Sequence, residues 1–131
     1  MTKTAQIAAA IAAALTAAGL RVRQSTDALY AFEDMPAIVL VLGSETPRPV
    51  FNAGYVYWDL TVSLWIGAEG DSPTLAPESV RGAVHAALYA DRTLGGVVVD
   101  LTASTVNRQI DAENPALGVA EATYSIQYRQ L

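Results

Sequence analysis

The sequence predicts an α+β domain in which a mainly antiparallel β-sheet packs against two α-helices. Three observations carry that prediction. Apolar residues recur at helical spacing in two stretches, one near the N-terminus and one ahead of the motif ADRTLGG. Two long segments, residues 55–66 and 119–129, alternate apolar and polar side chains. The order is helix, strands, helix, strands, which is not the strict βα alternation of a parallel sheet. A crossover through the second helix would still allow one parallel pair.

The first helix is expected at residues 4–18. Ile7, Ile11 and Leu15 share one face, alanine fills the rest, and Gly19 stands where a helix-ending C′ residue belongs. So alanine-rich a helix packs closely, on a sheet or on a neighbouring subunit. Ala9 and Ala13 are its candidates for a subunit contact. Residues 20–23 alternate and form a short strand. Residues 27–35 read as irregular chain closed by Pro36. Ala37 to Leu42 is a β-branched run bounded by Pro36 and Gly43, a strand. Residues 44–54 contain two prolines and read as a long loop, the tip of an extended hairpin. Arg48, Phe51 and Asn52 are its candidate contact residues.

The clearest strand follows. Val56, Trp58, Leu60, Val62, Leu64 and Ile66 point to one face, which should be core. Tyr57, Asp59, Thr61, Ser63 and Trp65 point to the other, as in an antiparallel sheet with one uncovered face. Tyr57 and Trp65 are either lone exposed aromatics or buried at a subunit interface. GAEGDSPT is a turn-rich loop. A second helix is expected at residues 75–89, with Pro77 in its first turn and Val80, Val84, Ala87 and Leu88 as its apolar stripe. Residues 97–106 form a strand with Val97, Val99, Leu101 and Ala103 on one face. Residues 111–118 form a loop around Pro115. In the last strand Ala122, Tyr124, Ile126 and Tyr128 alternate with Glu121, Thr123, Ser125, Gln127 and Arg129.

Composition narrows the function. The 131 residues suit one domain spanning 1–131 with one sizeable core. A net charge of −5 argues against a general nucleic-acid binder. There is no cysteine, so disulfides, thiolate metal sites and a cysteine nucleophile are excluded, and a reducing compartment is suited. The alanine-rich N-terminal stretch has larger apolar residues at helical spacing and reads as part of the fold rather than as a signal peptide. No run is long and apolar enough for a membrane span.

Catalytic constellations are missing. His85 is the only histidine, placed mid-helix, and no GxSxG elbow accompanies it. Glu33-Asp34 and Asp111/Glu113 are acidic pairs in expected loops, without the spacing of a calcium loop. Gly95-Gly96 precedes a strand, whereas phosphate-binding glycines follow a strand and open a helix. No metal or cofactor is expected, and the enzyme reading would require a deep pocket around His85.

ADRTLGG reads as a helix-stop and strand-start junction: the glycines turn the backbone, Leu94 plugs the core, and Asp91 bonds to nearby amides. In a wider frame, ALYADRTLGGVVVDL, then an acidic loop, then a closing strand ATYSIQYR, resembles the tail terminator and tail-completion proteins of long-tailed bacteriophages. The matching positions are Ala87, Leu88, Asp91, Leu94, Gly95 and Gly96, then Tyr124, Ile126 and Tyr128. Met35 to Leu40 is similar to the strand that follows the family's N-terminal helix. The resemblance spans most of the chain, in the right order. It implies a tail-terminator-like α+β fold and a homo-oligomeric ring, commonly a hexamer. Such a ring caps the tail tube, stops its polymerisation and joins tail to head. The implied partners are other copies of the chain, the major tail tube protein and the head–tail connector, with DNA only passing through the channel. No enzyme activity and no cofactor are implied, and the location would be the virion after assembly in the host cytoplasm. In that setting Asp59 and Glu121 would keep a channel-lining face from gripping DNA. The alternatives are a neighbouring neck or head-closure protein and a small ligand-binding domain built on the His85 helix.

Overall fold

The computed structural model describes residues 2–24, 37–48 and 56–130. Its elements in chain order are α1 (Lys3–Ala17), β1 (Val22–Gln24), β2 (Ala37–Arg48), β3 (Val56–Glu69), α2 (Glu78–Tyr89), β4 (Asp100–Ile110) and β5 (Leu117–Gln130). The five strands form one mixed sheet in the order β1-β2-β3-β5-β4. The α+β class read from the sequence is therefore what the chain adopts, mostly as sheet.

The parallel pair is β1 with β2, in register from Val22 opposite Ile38 to Gln24 opposite Leu40. The crossover expected through α2 has a different outcome. β3 and β4 each run antiparallel to β5, so they point the same way, but β5 lies between them. α2 thus joins two like-directed strands that never touch.

β3 and β5 pair without interruption from Val56 opposite Gln130 to Glu69 opposite Leu117. This register places Leu60, Val62, Leu64 and Ile66 on the same face as Ile126, Tyr124, Ala122 and Ala120. All eight are buried. α1 lays Ile7, Ile11 and Leu15 onto this face, and α2 adds Val84 and Leu88, closing one hydrophobic cluster. Each such side chain, fully removed from water, contributes about 1.5–3 kcal/mol. Val56, by contrast, lies at the strand end and is exposed.

Tyr128 closes the far end of the core. Its hydroxyl donates to Glu45 Oε2 at 3.1 Å. Burial, and then the neighbouring carboxylate, push the phenol up to about 12. Glu45 can reach it because β2 shifts register between Leu42 and Glu45, which puts Glu45 opposite Leu60 on the helix-covered face.

Several boundaries differ from the sequence reading. β2 runs on to Arg48, so Ser44 to Arg48 are strand rather than loop. Residues 49–55, with Phe51 and Asn52, lie outside the described residues, as do residues 25–36 with the acidic pair Glu33-Asp34. β3 extends through Gly67 to Glu69. α2 begins at Glu78, with Pro77 as the residue before it, because the chain spends Ser72 to Pro77 in turns. β4 begins at Asp100, and Val97, Val98 and Val99 belong to the junction. Of the expected inward set only Leu101 is buried. Val98 is buried instead, whereas Val99 and Ala103 are exposed.

Gly118 is a close approach: a Cβ there would overlap the Pro73 carbonyl oxygen. Gly82 is the opposite case, an exposed mid-helix glycine with open space around it. Gly118→Ala is therefore expected to cost about 2–3 kcal/mol or more. Gly82→Ala should stabilise the protein by about 0.5–1 kcal/mol. Urea denaturation of the two variants against the parent checks both signs.

Candidate functional site

Two surfaces and one junction hold the residues that the sequence singled out. The junction is built first by Asp91. Its Oδ1 accepts from the Thr93 amide at 3.1 Å and the Thr93 hydroxyl at 2.7 Å, and its Oδ2 accepts from the Gly95 amide at 2.8 Å. These bonds hold the Asp91 carboxyl below the usual aspartate range, the Thr93 hydroxyl being the largest cause. The chain then passes through three consecutive left-handed residues, Leu94 at φ 51°, Gly95 at 71° and Gly96 at 89°. Leu94 accepts this strained conformation while its side chain sits in the core cluster.

Arg92, which the sequence reading passed over, ties the junction to the sheet. Its Nε donates to the Leu101 carbonyl at 2.9 Å, and its Nη2 donates to Asp100 Oδ2 at 2.9 Å and to Thr102 Oγ1 at 3.3 Å. The guanidinium also lies 5.0 Å from the centre of the Tyr89 ring. The Tyr89 hydroxyl in turn accepts from the Ala103 amide at 2.8 Å. β4 is an edge strand, so Leu101 and Ala103 would otherwise offer bare backbone groups to solvent. An arginine placed between Asp91 and a threonine carries no periodicity signal, which is why it was not legible.

The sheet face turned away from α1 and α2 carries Tyr57, Trp65 and a band of hydroxyls. Trp65 stands in register between Val39 and Glu121, and Tyr57 between Arg48 and Arg129. Between them lie Thr61 opposite Ser125 and Ser63 opposite Thr123. Tyr57 and Trp65 are half-buried, so neither is a fully exposed aromatic. Val39 is buried on this same side. Arg48 is not on a loop tip. It pairs across strands with Asp59, Nε at 3.0 Å and Nη2 at 2.9 Å from Oδ2. The negative charge expected of Asp59 is thereby compensated locally.

Ala9 and Ala13 are both exposed on α1, on the side turned from the core. They and the Tyr57–Trp65 face therefore lie on opposite sides of the molecule. The structure brings Asp91, Leu94, Gly95 and Gly96 together. It does not bring the alanine pair to the aromatic pair.

His85 faces a cleft of about 370 Å³ between α2 and the strands β4 and β5. Its ring lies 4.2 Å from that of Tyr89, and its Nδ1 is 3.4 Å from the Tyr124 hydroxyl. This cleft is open, whereas the enzyme reading requires a deep pocket around His85. Among the described residues, no acidic side chain is bonded to His85, and no group of three metal-ligating side chains is gathered. Asp111 serves its own loop, accepting from the amides of Glu113 and Asn114.

Comparison of the chain with protein-family models gives no match, and comparison with curated proteins gives no significant relative. Among the described residues no helix is long and apolar enough to cross a membrane.

The junction generates a paired prediction. Gly95→Ala and Gly96→Ala should each destabilise by about 1 kcal/mol through backbone conformation alone, since open space surrounds both positions. Asp91→Asn should also destabilise at neutral pH. Because the folded carboxyl sits below its ordinary value of 3.8, the contribution of the charge is present above that value and lost as pH falls through the folded value. The stability gap between parent and Asp91→Asn should therefore narrow in acid, as chemical denaturation from pH 7 to pH 3 would measure.

Proposed function

We propose that this chain is a structural subunit of a long-tailed bacteriophage, a tail-terminator-like protein. Copies close into a homo-oligomeric ring, commonly a hexamer in proteins of this kind. The ring caps the tail tube, ends its polymerisation and offers a surface to the head–tail connector. The protein performs no turnover and holds no cofactor, and DNA only passes through the channel. It belongs in the virion after assembly in the host cytoplasm.

One observation carries this reading beside the sequence resemblance. The molecule has two dissimilar surfaces on opposite sides: a half-buried, hydroxyl-rich sheet face with Tyr57 and Trp65, and an exposed alanine surface on α1 with Ala9 and Ala13. A closed ring needs two different patches that meet head to tail, because identical patches would stop at a dimer. Alanine lets a neighbouring backbone approach closely, and half-buried aromatics supply contact area. The strained junction from Asp91 to Gly96 fits a shape role. Its Asp91 carboxylate bonds to its own backbone, and its Arg92 guanidinium bonds to β4.

Light scattering over a wide concentration range tests the surfaces. The parent is expected to show a discrete ring-sized species. Ala9→Glu/Ala13→Glu should reduce it to monomer with an unchanged circular dichroism spectrum, since both positions are solvent-facing. A double variant that assembles like the parent would remove α1 from the interface.

A further inference from the structure

We propose that the cleft beside His85 is a binding site for a small organic monocarboxylate, an anionic head on a compact apolar body. This site does not depend on whether the chain closes a ring. Arg81 and His85 stand one helical turn apart on α2 and form one wall. Residues 103–106 of β4 and 122–124 of β5 form the other. The cleft opens where β4 breaks register between Ala103 and Thr105, leaving Ser104 unpaired with β5.

The charge balance there selects an anion. Glu78 is shared by two guanidinium groups: Arg81 binds its Oε2 at 2.9 Å, and Arg108 binds its Oε1 at 2.5 Å. Two positive charges thus face one negative charge beside the cleft, in a chain whose overall balance is −5, and of the three Arg81 lines the cleft itself. Among the described residues no acidic side chain lines the cleft itself. Arg81 spends only part of its five-donor fork on Glu78, so further N–H groups are available to a second carboxylate.

The remaining lining decides the rest of the ligand. The Tyr124 hydroxyl meets the His85 ring from a nearly buried side chain. Desolvation holds that phenol above its ordinary value, and the Arg81 charge is felt there. Ser104 and Thr105 add hydroxyls, while Ala103, Val106 and Ala122 are apolar. The Arg81 guanidinium matches a single carboxylate, and the apolar wall favours a carboxylate with an apolar body over a bare phosphate.

His85 is the only histidine, so its ring C2–H is a single proton NMR signal that needs no assignment mutant. Titration of the full chain with benzoate at fixed pH should move this signal along a saturating curve. Benzamide and inorganic phosphate should bind at least tenfold more weakly. Arg81→Gln should weaken benzoate at least tenfold with folding verified by thermal melting, and Tyr124→Phe should weaken it less. The proposal is overturned if the shift rises linearly without saturation, if benzamide matches benzoate, or if Arg81→Gln binds benzoate as the parent does. Should Arg81→Gln fail to fold, the comparison of benzoate with benzamide on the parent decides the matter alone.

Discussion

The unbroken pairing of β3 with β5 is the constraint on which the rest of the molecule depends. Fourteen residues of each strand meet opposite one another, with no bulge between Val56 and Glu69. A slip of one residue would send Leu60, Val62, Leu64 and Ile66 to the polar face and Asp59, Thr61 and Ser63 to the core. The register thereby decides which face receives both helices. β2 and β4, packed on the outer sides of this pair, each break register once. Those breaks can be tolerated because the central pair already fixes the core. They also do something local: one brings Glu45 to the Tyr128 hydroxyl, and the other opens the cleft beside His85.

The motif ADRTLGG makes sense against that frame. The chain must leave α2, turn, and enter β4 on the outer side of β5. Asp91 holds the turn with three accepted hydrogen bonds, and the left-handed run from Leu94 to Gly96 reverses the chain. Arg92 and Tyr89 then satisfy backbone groups of the edge strand at Leu101 and Ala103. The stretch from Tyr89 to Gly96 thus ends a helix, plugs the core with Leu94 and satisfies two backbone groups of the edge strand.

Much of this fold was legible in the sequence, for identifiable reasons. Period-two alternation located β3 and β5, and four-residue spacing located α1 with its buried face at Ile7, Ile11 and Leu15. Edge elements were read less well. Ser44 to Arg48 looked like loop because of Pro47 and Pro49, yet β1 pairs with β2 only as far as Leu40, so the far end of β2 lies at the sheet edge, where a proline is tolerated. Val97 to Val99 looked like strand because valine favours it, but the left-handed turn before them holds that stretch in the junction. Of the candidate site residues, Asp91, Leu94, Gly95 and Gly96 are gathered in one place, whereas Arg48 is engaged with Asp59 rather than presented on a tip. Arg92 and the Glu78–Arg81–Arg108 cluster were invisible because their partners are distant in sequence or offset by a bulge.

The proposed function rests on shape: a sheet face that the helices do not cover, an alanine surface on α1, and a junction whose Asp91 and Arg92 bond to its own backbone and to β4. The most direct measurement of it is electron microscopy of phage tail tubes assembled from a purified tail tube protein, with and without the chain present. The account predicts tubes whose growth stops and whose one end carries a ring-shaped density of several copies. Tubes that lengthen unchecked, with no density at either end, would contradict it.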